Sequence, residues 1–287
     1  VNMTDKGAGL FGSVYTGGTI KNLTGEGTVV GKQYVAGIVA YLYGGSVENC
    51  VNNANISAET GYSVGGVVGY MSNYSGKSRI IGCVNNGTIT SGDGTYVGGI
   101  AGQTSYGTIV ENCVNNGDVS GKATIGGITG STSIPIINCS NHGNITATGN
   151  RAGGIVGFTN KIVSYCYNTG NISGKGTAEN GIGGIVGQLN NNYGGTIDSS
   201  LNVGVITDKT EFHGAIAGTK GKNSSDKKSV TNSYYLASSS DKGIGTEQSP
   251  EETVSALTAE EIASPLTAAK LGGRFAYKAG ASTPLLD

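Results

Sequence analysis

The sequence predicts an all-β chain wound as a parallel β-helix, a solenoid of about eight three-stranded coils with a small, partly helical C-terminal cap. Three observations carry this reading. A Gly-aliphatic-x-Gly motif recurs eight times: Gly9-Leu10-Phe11-Gly12, Gly66-Val67-Val68-Gly69, Gly99-Ile100-Ala101-Gly102, Gly127-Ile128-Thr129-Gly130, Gly154-Ile155-Val156-Gly157 and Gly184-Ile185-Val186-Gly187, with weaker copies at Gly37-Ile38-Val39-Ala40 and Ala215-Ile216-Ala217-Gly218. Two further blocks follow each copy in fixed order, and successive units lie 26 to 34 residues apart. The composition fits as well, with 52 Gly in 287 residues, 13% charged residues and no Trp. Such a chain lacks the large side chains of a conventional core and suits short strands joined by glycine turns.

The first block is a strand with a corner in it. Val97 and Ile100 are three apart, and both columns are aliphatic along the repeat. The strand must therefore bend or bulge at Gly98-Gly99, where crowded backbone excludes a Cβ. The pattern leaves open which residues face inward beside the pair. The second block runs aliphatic, two variable residues, then Cys-x-Asn-x-Gly. Its Cys column is Cys50, Cys83, Cys113, Cys139 and Cys166, with Leu23, Ser200 and Ser233 at the ends. Its Asn column is Asn52, Asn85, Asn115, Asn141, Asn168 and Asn202. The third block is an aliphatic followed by Ser or Thr, from Ile56-Ser57 to Ile206-Thr207. Length varies after the first block, as at 72–78, and after the third, as at 174–180, so insertions map to two loops.

Three short strands in about 30 residues, separated by Gly and Asn turns, read as one solenoid coil. A propeller blade needs four strands and ~40 residues or more, and the leucine ladder of a leucine-rich repeat is missing. Stacked ~4.8 Å apart, eight coils make a rod of roughly 38 Å. The pattern fades after Tyr234-Tyr235-Leu236, which divides the chain into a solenoid at 1–236 and a cap at 237–287. Ser249-Pro250-Glu251-Glu252 and Thr258-Ala259-Glu260-Glu261 both read as capping boxes at helix starts. Ser264-Pro265 opens a short helix that Gly272 stops. A cap at this end would cover a sheet edge otherwise open to polymerisation.

The Gly-aliphatic-x-Gly strand followed by Cys-x-Asn-x-Gly resembles the GLUG motif across about residues 7–236. The tail, NSYYLASSSDKGIG to LTAEE, AAKLGGRFAY and TPLLD, is similar to endings that follow such repeats, without their final aromatic. The resemblance implies a right-handed β-helix, an extracellular, cell-surface location, and kinship with adhesin-like bacterial surface proteins and IgA-cleaving metallo-endopeptidases. It implies no enzymatic activity for this region. The chain has only His142 and His213 and no His-Glu-x-x-His.

The candidate sites are weighed on that frame. The cysteines are too far apart in sequence for Cys-x-x-Cys chemistry and share one column, so they read as a ladder of buried small hydrophobes, with no metal and no cofactor expected. The Asn column reads as an amide ladder. Sequons such as Asn55-Ile56-Ser57 are by-products of the third strand. Gly92-Asp93-Gly94 stands alone as a calcium signal. Glu48 and Glu111 share a column two rungs apart, with Ile81 between, and form no catalytic pair. The aromatics are the least repeated feature: Tyr34 and Tyr96 before the glycine pair, Tyr41, Tyr70 and Phe158 after the strand, and Tyr43, Tyr74, Tyr106 and Tyr193 in loops. They could stack on sugar rings or anchor a protein.

Net charge is −1 with no basic face, so nucleic acid is not an expected partner. No apolar run approaches the ~18 residues of a membrane span. The start, VNMTDKGAGL, does not read as a signal peptide, and the abrupt entry into a repeat reads as a monomeric fragment of a larger secreted parent. The expected function is a non-catalytic stalk or adhesive segment that binds a host or matrix glycan or an extracellular protein. The alternatives are a carbohydrate-active β-helix enzyme and an accessory module of a surface protease.

Overall fold

In a computed structural model the chain forms an all-β parallel solenoid of about eight turns, described for residues 7–73, 77–208, 210–221, 228–246, 248–272, 274–276, 278 and 281–286. Each of the first six coils has five strands rather than the three expected, and the seventh and eighth have four among the described residues. The fourth coil shows them all: Tyr96–Gly98, Ala101–Thr104, Ile109–Glu111, Val114–Asn115 and Val119–Gly121. Two corners account for the extra strands. The glycine pair splits the first block in two, and a left-handed residue before the Cys column, Asn112 with φ 55°, splits the second. Stacking the coils yields five parallel sheets of eight, eight, eight, nine and six strands, taken in the order of that coil. Equivalent residues pair in register, as Val64 with Val97 and Val97 with Ile125.

The corner at Gly98-Gly99 also divides the core. Val97 and Ile100 are both fully buried but belong to different apolar clusters. Val97 packs with Ile125, Val119 and Ile89 between the first and fifth sheets. Ile100 packs with Val110, Ile128 and Cys113 between the second, third and fourth. The backbone turns so tightly that a Cβ on Gly99 would sit 2.0 Å from the Gly127 carbonyl oxygen and 2.3 Å from Asn115 Cγ. No real Cβ sits there, which is why this position is Gly in coil after coil.

Strand stacking continues past residue 236. Val254–Leu257 pairs with Ser233–Leu236, Ile244 bridges to Ala217, and the Ile206 amide donates to the Ser239 carbonyl. Ser239 thus completes the eighth coil over the seventh, and Ile244 and Val254–Leu257 lie over the eighth as parts of a ninth turn. Helix α1 (Ala259–Ile262) starts at Thr258 with the expected capping box to Glu261, and helix α2 (Pro265–Leu271) is capped by Ser264 and stops at Gly272. The helix start expected at Ser249 is a turn instead. Its Glu252 does reach back to the Ser249 amide at 2.9 Å, but it also takes Lys220 Nζ at 2.6 Å and Ser229 Oγ at 2.5 Å. That buried ion pair fixes the turn to the eighth coil.

The helices do not sit over the end of the stack. In the fourth sheet Asn faces inward, so the residue before it faces out: Val114, Ser140, Tyr167 and Leu201 in successive coils. Val114 is half-exposed, whereas Tyr167 and Leu201 are buried under Ile262, Ala268, Leu271 and Phe275. The tail therefore folds back along the flank of the rod, and Arg274 reaches Glu111 of the fourth coil at 3.4 Å.

Candidate binding surface

In the first strand of each coil Val35, Val97 and their counterparts point inward, so the residues just before them face out. Gly7, Tyr34, Ser63 and Tyr96 line up in register along the first sheet. Ser13, Tyr41, Tyr70, Gln103, Ser131 and Phe158 do so along the second. At the glycine corner these two outer faces fold toward each other. A Cβ on Gly102 would meet the Val64 amide nitrogen at 2.4 Å, and Ser63 Oγ donates to the Gly69 carbonyl at 2.7 Å. Side chains of the two columns meet across this re-entrant corner.

Five of the aromatics singled out in the sequence come together there. Tyr34 stacks on Tyr70 with ring centroids 5.3 Å apart and lies 5.8 Å from Tyr41, and Tyr41 is 5.3 Å from Tyr70. Tyr96 joins through Tyr62 at 5.5 Å. Tyr43, expected in a loop, is instead the last residue of the strand Val39–Tyr43; it stacks on Tyr41 at 6.1 Å and meets its register partner Tyr15 at 6.2 Å. The result is a contiguous patch of seven tyrosines over the first four coils. Tyr15 and Tyr62, two of its most exposed members, are off the repeat columns, and column reading passed over them. Their signal was local, one aromatic beside another in the next coil. Burial pushes the Tyr34, Tyr41 and Tyr62 phenols above their ordinary value, with a smaller push from neighbouring phenols. They are therefore neutral donors and acceptors at ordinary pH. Tyr70 Oη donates to Ser105 Oγ at 3.3 Å.

Beside Tyr34 and Tyr41 lie Gly7, Gly12 and Ser13 of the first coil, and among the described residues these five line a cleft of about 390 Å³. Phe158 lies apart in the sixth coil, where Arg151 sits 5.2 Å over its ring. Tyr106 is exposed on a loop of the fourth coil. Tyr74 lies outside the described residues.

The Cys and Asn columns are buried. Each Cys Sγ lies 3.2 to 3.4 Å from the carbonyl two residues before it, and all five thiols are free. The Cys83 thiol is pushed up to about 12, chiefly by its hydrogen bond with Cys113, and burial does the same at Cys166. Asn52, Asn85, Asn115, Asn141 and Asn168 each donate Nδ2 to Oδ1 of the next Asn at 2.7 to 2.8 Å and to the carbonyl two residues on at 2.8 to 2.9 Å. Asn202 ends the row, bonding to Gly204 and Ser239. Both amide protons are used in every rung, so the row offers nothing to a ligand.

Among carboxylates, Glu48 pairs with Arg79 at 2.8 Å, Asp93 with Lys122 at 2.7 Å, and Glu111 with Arg274. Among the described residues no group of three or more His, Cys, Asp or Glu could hold a metal, and no helix is long and apolar enough to cross a membrane.

The GLUG motif matches residues 93–120, the coil that carries Tyr96, Cys113 and Asn115. No curated protein and no solved structure matches the chain.

Proposed function

Starting from a chain that carries the GLUG motif on a stacked β-solenoid, we propose a non-catalytic adhesive segment of a bacterial cell-surface or secreted protein. The solenoid is the rigid carrier, and the tyrosine patch on its first four coils is the contact surface for a host or matrix glycan or an extracellular protein. The patch is the observation that supports this reading. A run of half-exposed aromatics on a rigid support meets a partner at low entropic cost, because the rings are already ordered by packing on one another. The columns that repeat most strictly, Cys, Asn and Gly, are spent on the interior.

The test is a binding screen of the chain against mucins, purified glycans and matrix proteins, with Tyr41→Ala and Tyr62→Ala alongside. Binding that both substitutions weaken supports the adhesive reading. A blank screen, or binding indifferent to both, leaves the chain as a stalk.

A further inference from the structure

The tyrosines form more than a patch. Followed from ring to ring, Tyr15, Tyr43, Tyr41, Tyr34, Tyr62 and Tyr96 make a path with successive centroid distances of 6.2, 6.1, 5.8, 6.1 and 5.5 Å. The step is nearly constant and comparable with the advance of one pyranose ring along an extended chain. We propose that this path takes a linear, uncharged, β-linked glycan of at least four sugar units, laid across the first four coils with its middle units beside the cleft at Tyr34 and Tyr41.

Three features argue for this ligand class. Pyranose rings present flat C–H faces flanked by hydroxyls, and a phenol offers both an aromatic face and an oxygen that donates and accepts. Tyr41 and Tyr43 stack nearly parallel, at 10°, whereas the exposed Tyr62 stands at 87° to both Tyr34 and Tyr96, so the path presents rings in more than one orientation. The cleft lined by Tyr34, Tyr41, Gly7, Gly12 and Ser13, at about 390 Å³, is open to solvent and has room for a sugar unit. The ion pairs at Glu48, Asp93, Glu111, His213 and Glu252 lie off the path, and Arg151, two rungs beyond Tyr96 in the same column, is taken up over the Phe158 ring. A polyanion such as a uronic-acid polymer would give up hydration there for little counter-charge.

This inference rests on the adhesive reading, and the two can fail separately. Calorimetry reads the binding, and because the chain has no Trp and seven of its 15 tyrosines lie in the patch, tyrosine fluorescence follows it as well. The probes are β-1,4-linked oligomers of glucose, xylose and N-acetylglucosamine, from two to six units. The expected result is at least a tenfold gain in affinity from dimer to tetramer in one or more series. Tyr41→Ala and Tyr62→Ala should each cost fivefold or more, and Phe158→Ala, off the path, should cost nothing. Should Tyr41→Ala not fold, Tyr62→Ala carries the test, since Tyr62 is exposed. Equal affinity for dimer and hexamer overturns the proposal, as does binding only to a hyaluronan hexamer or binding to none of the three series. If mucin or matrix binding is lost in Tyr62→Ala while every oligomer fails, the adhesive reading stands and this one falls.

Discussion

Just before the Cys column the backbone enters the left-handed region in every coil, at Asn22, Asn49, Gly82, Asn112, Asn138, Tyr165, Ser199 and Asn232. Asn and Gly, the two residues most at ease there, hold six of the eight positions. In the sequence this column passes for a variable one, because its demand is a dihedral angle and not a chemistry. Asn112→Ala should cost about 1–2 kcal/mol in chemical denaturation, with Asn112→Gly regaining most of it. The Gly99 column was legible because Gly holds it in seven of the eight coils, with Ala215 in the last. Gly99→Val should cost about 3 kcal/mol or more, because its Cβ would meet the Gly127 carbonyl and the Asn115 side chain, which the amide row holds in place. A thermal unfolding curve unchanged from the parent would overturn that account of the corner. The thiols make a different prediction. Cys83 and Cys166 titrate near 12 in the fold against 9.0 for an ordinary thiol, so between those values the native state holds protons that the unfolded chain has lost. Their stabilisation is complete below pH ~9 and falls as pH rises through that window. Urea unfolding at pH 8 and pH 10.5 should show this loss, and Cys166→Ser should reduce it. Ser is accommodated in this column, as Ser200 shows by making the same bond to Asp198 at 3.0 Å.

The strands and helices were unevenly legible. Helices α1 and α2 could be read from Thr258, Glu261, Ser264 and Gly272 because capping chemistry is local. Their docking place could not. It depends on Asn168 and Asn202 turning inward, which sends Tyr167 and Leu201 out of the solenoid and leaves an apolar stripe for the tail to cover. A reader who takes every apolar residue of a strand as core puts the tail over the end of the rod. Deleting residues 258–287 should therefore expose Tyr167 and Leu201 on the flank. The expected result is raised binding of a hydrophobic dye, association in size-exclusion chromatography and a lower Tm. A monodisperse protein with the parent's Tm would argue against this packing. The count of strands was misjudged for a related reason. Two-residue strands such as Val114–Asn115 are too short to show a period of their own and exist only because the coils above and below pair with them.

At the scale of the whole molecule each coil contacts its neighbours above and below, and stability is close to a sum of coil and interface contributions. The amide row adds a stricter condition. Its donors all point from the N-terminal coil toward the C-terminal one, and hydrogen bonds in a chain polarise one another. Removing 97–124 joins Tyr96 to Ile125, its own stacking partner's neighbour in register, and lets Asn85 face Asn141 as it now faces Asn115. That shortened chain should fold with a modestly lower Tm, whereas removing only 101–113 should give an unfolded or aggregated product by circular dichroism and size exclusion. The loops absorb any number of residues, but the thread of amides accepts only whole rungs. Reach, for such a rod, is therefore a counted quantity: it can grow or shrink across generations by duplicating or losing a coil, in steps of one, without retuning what remains.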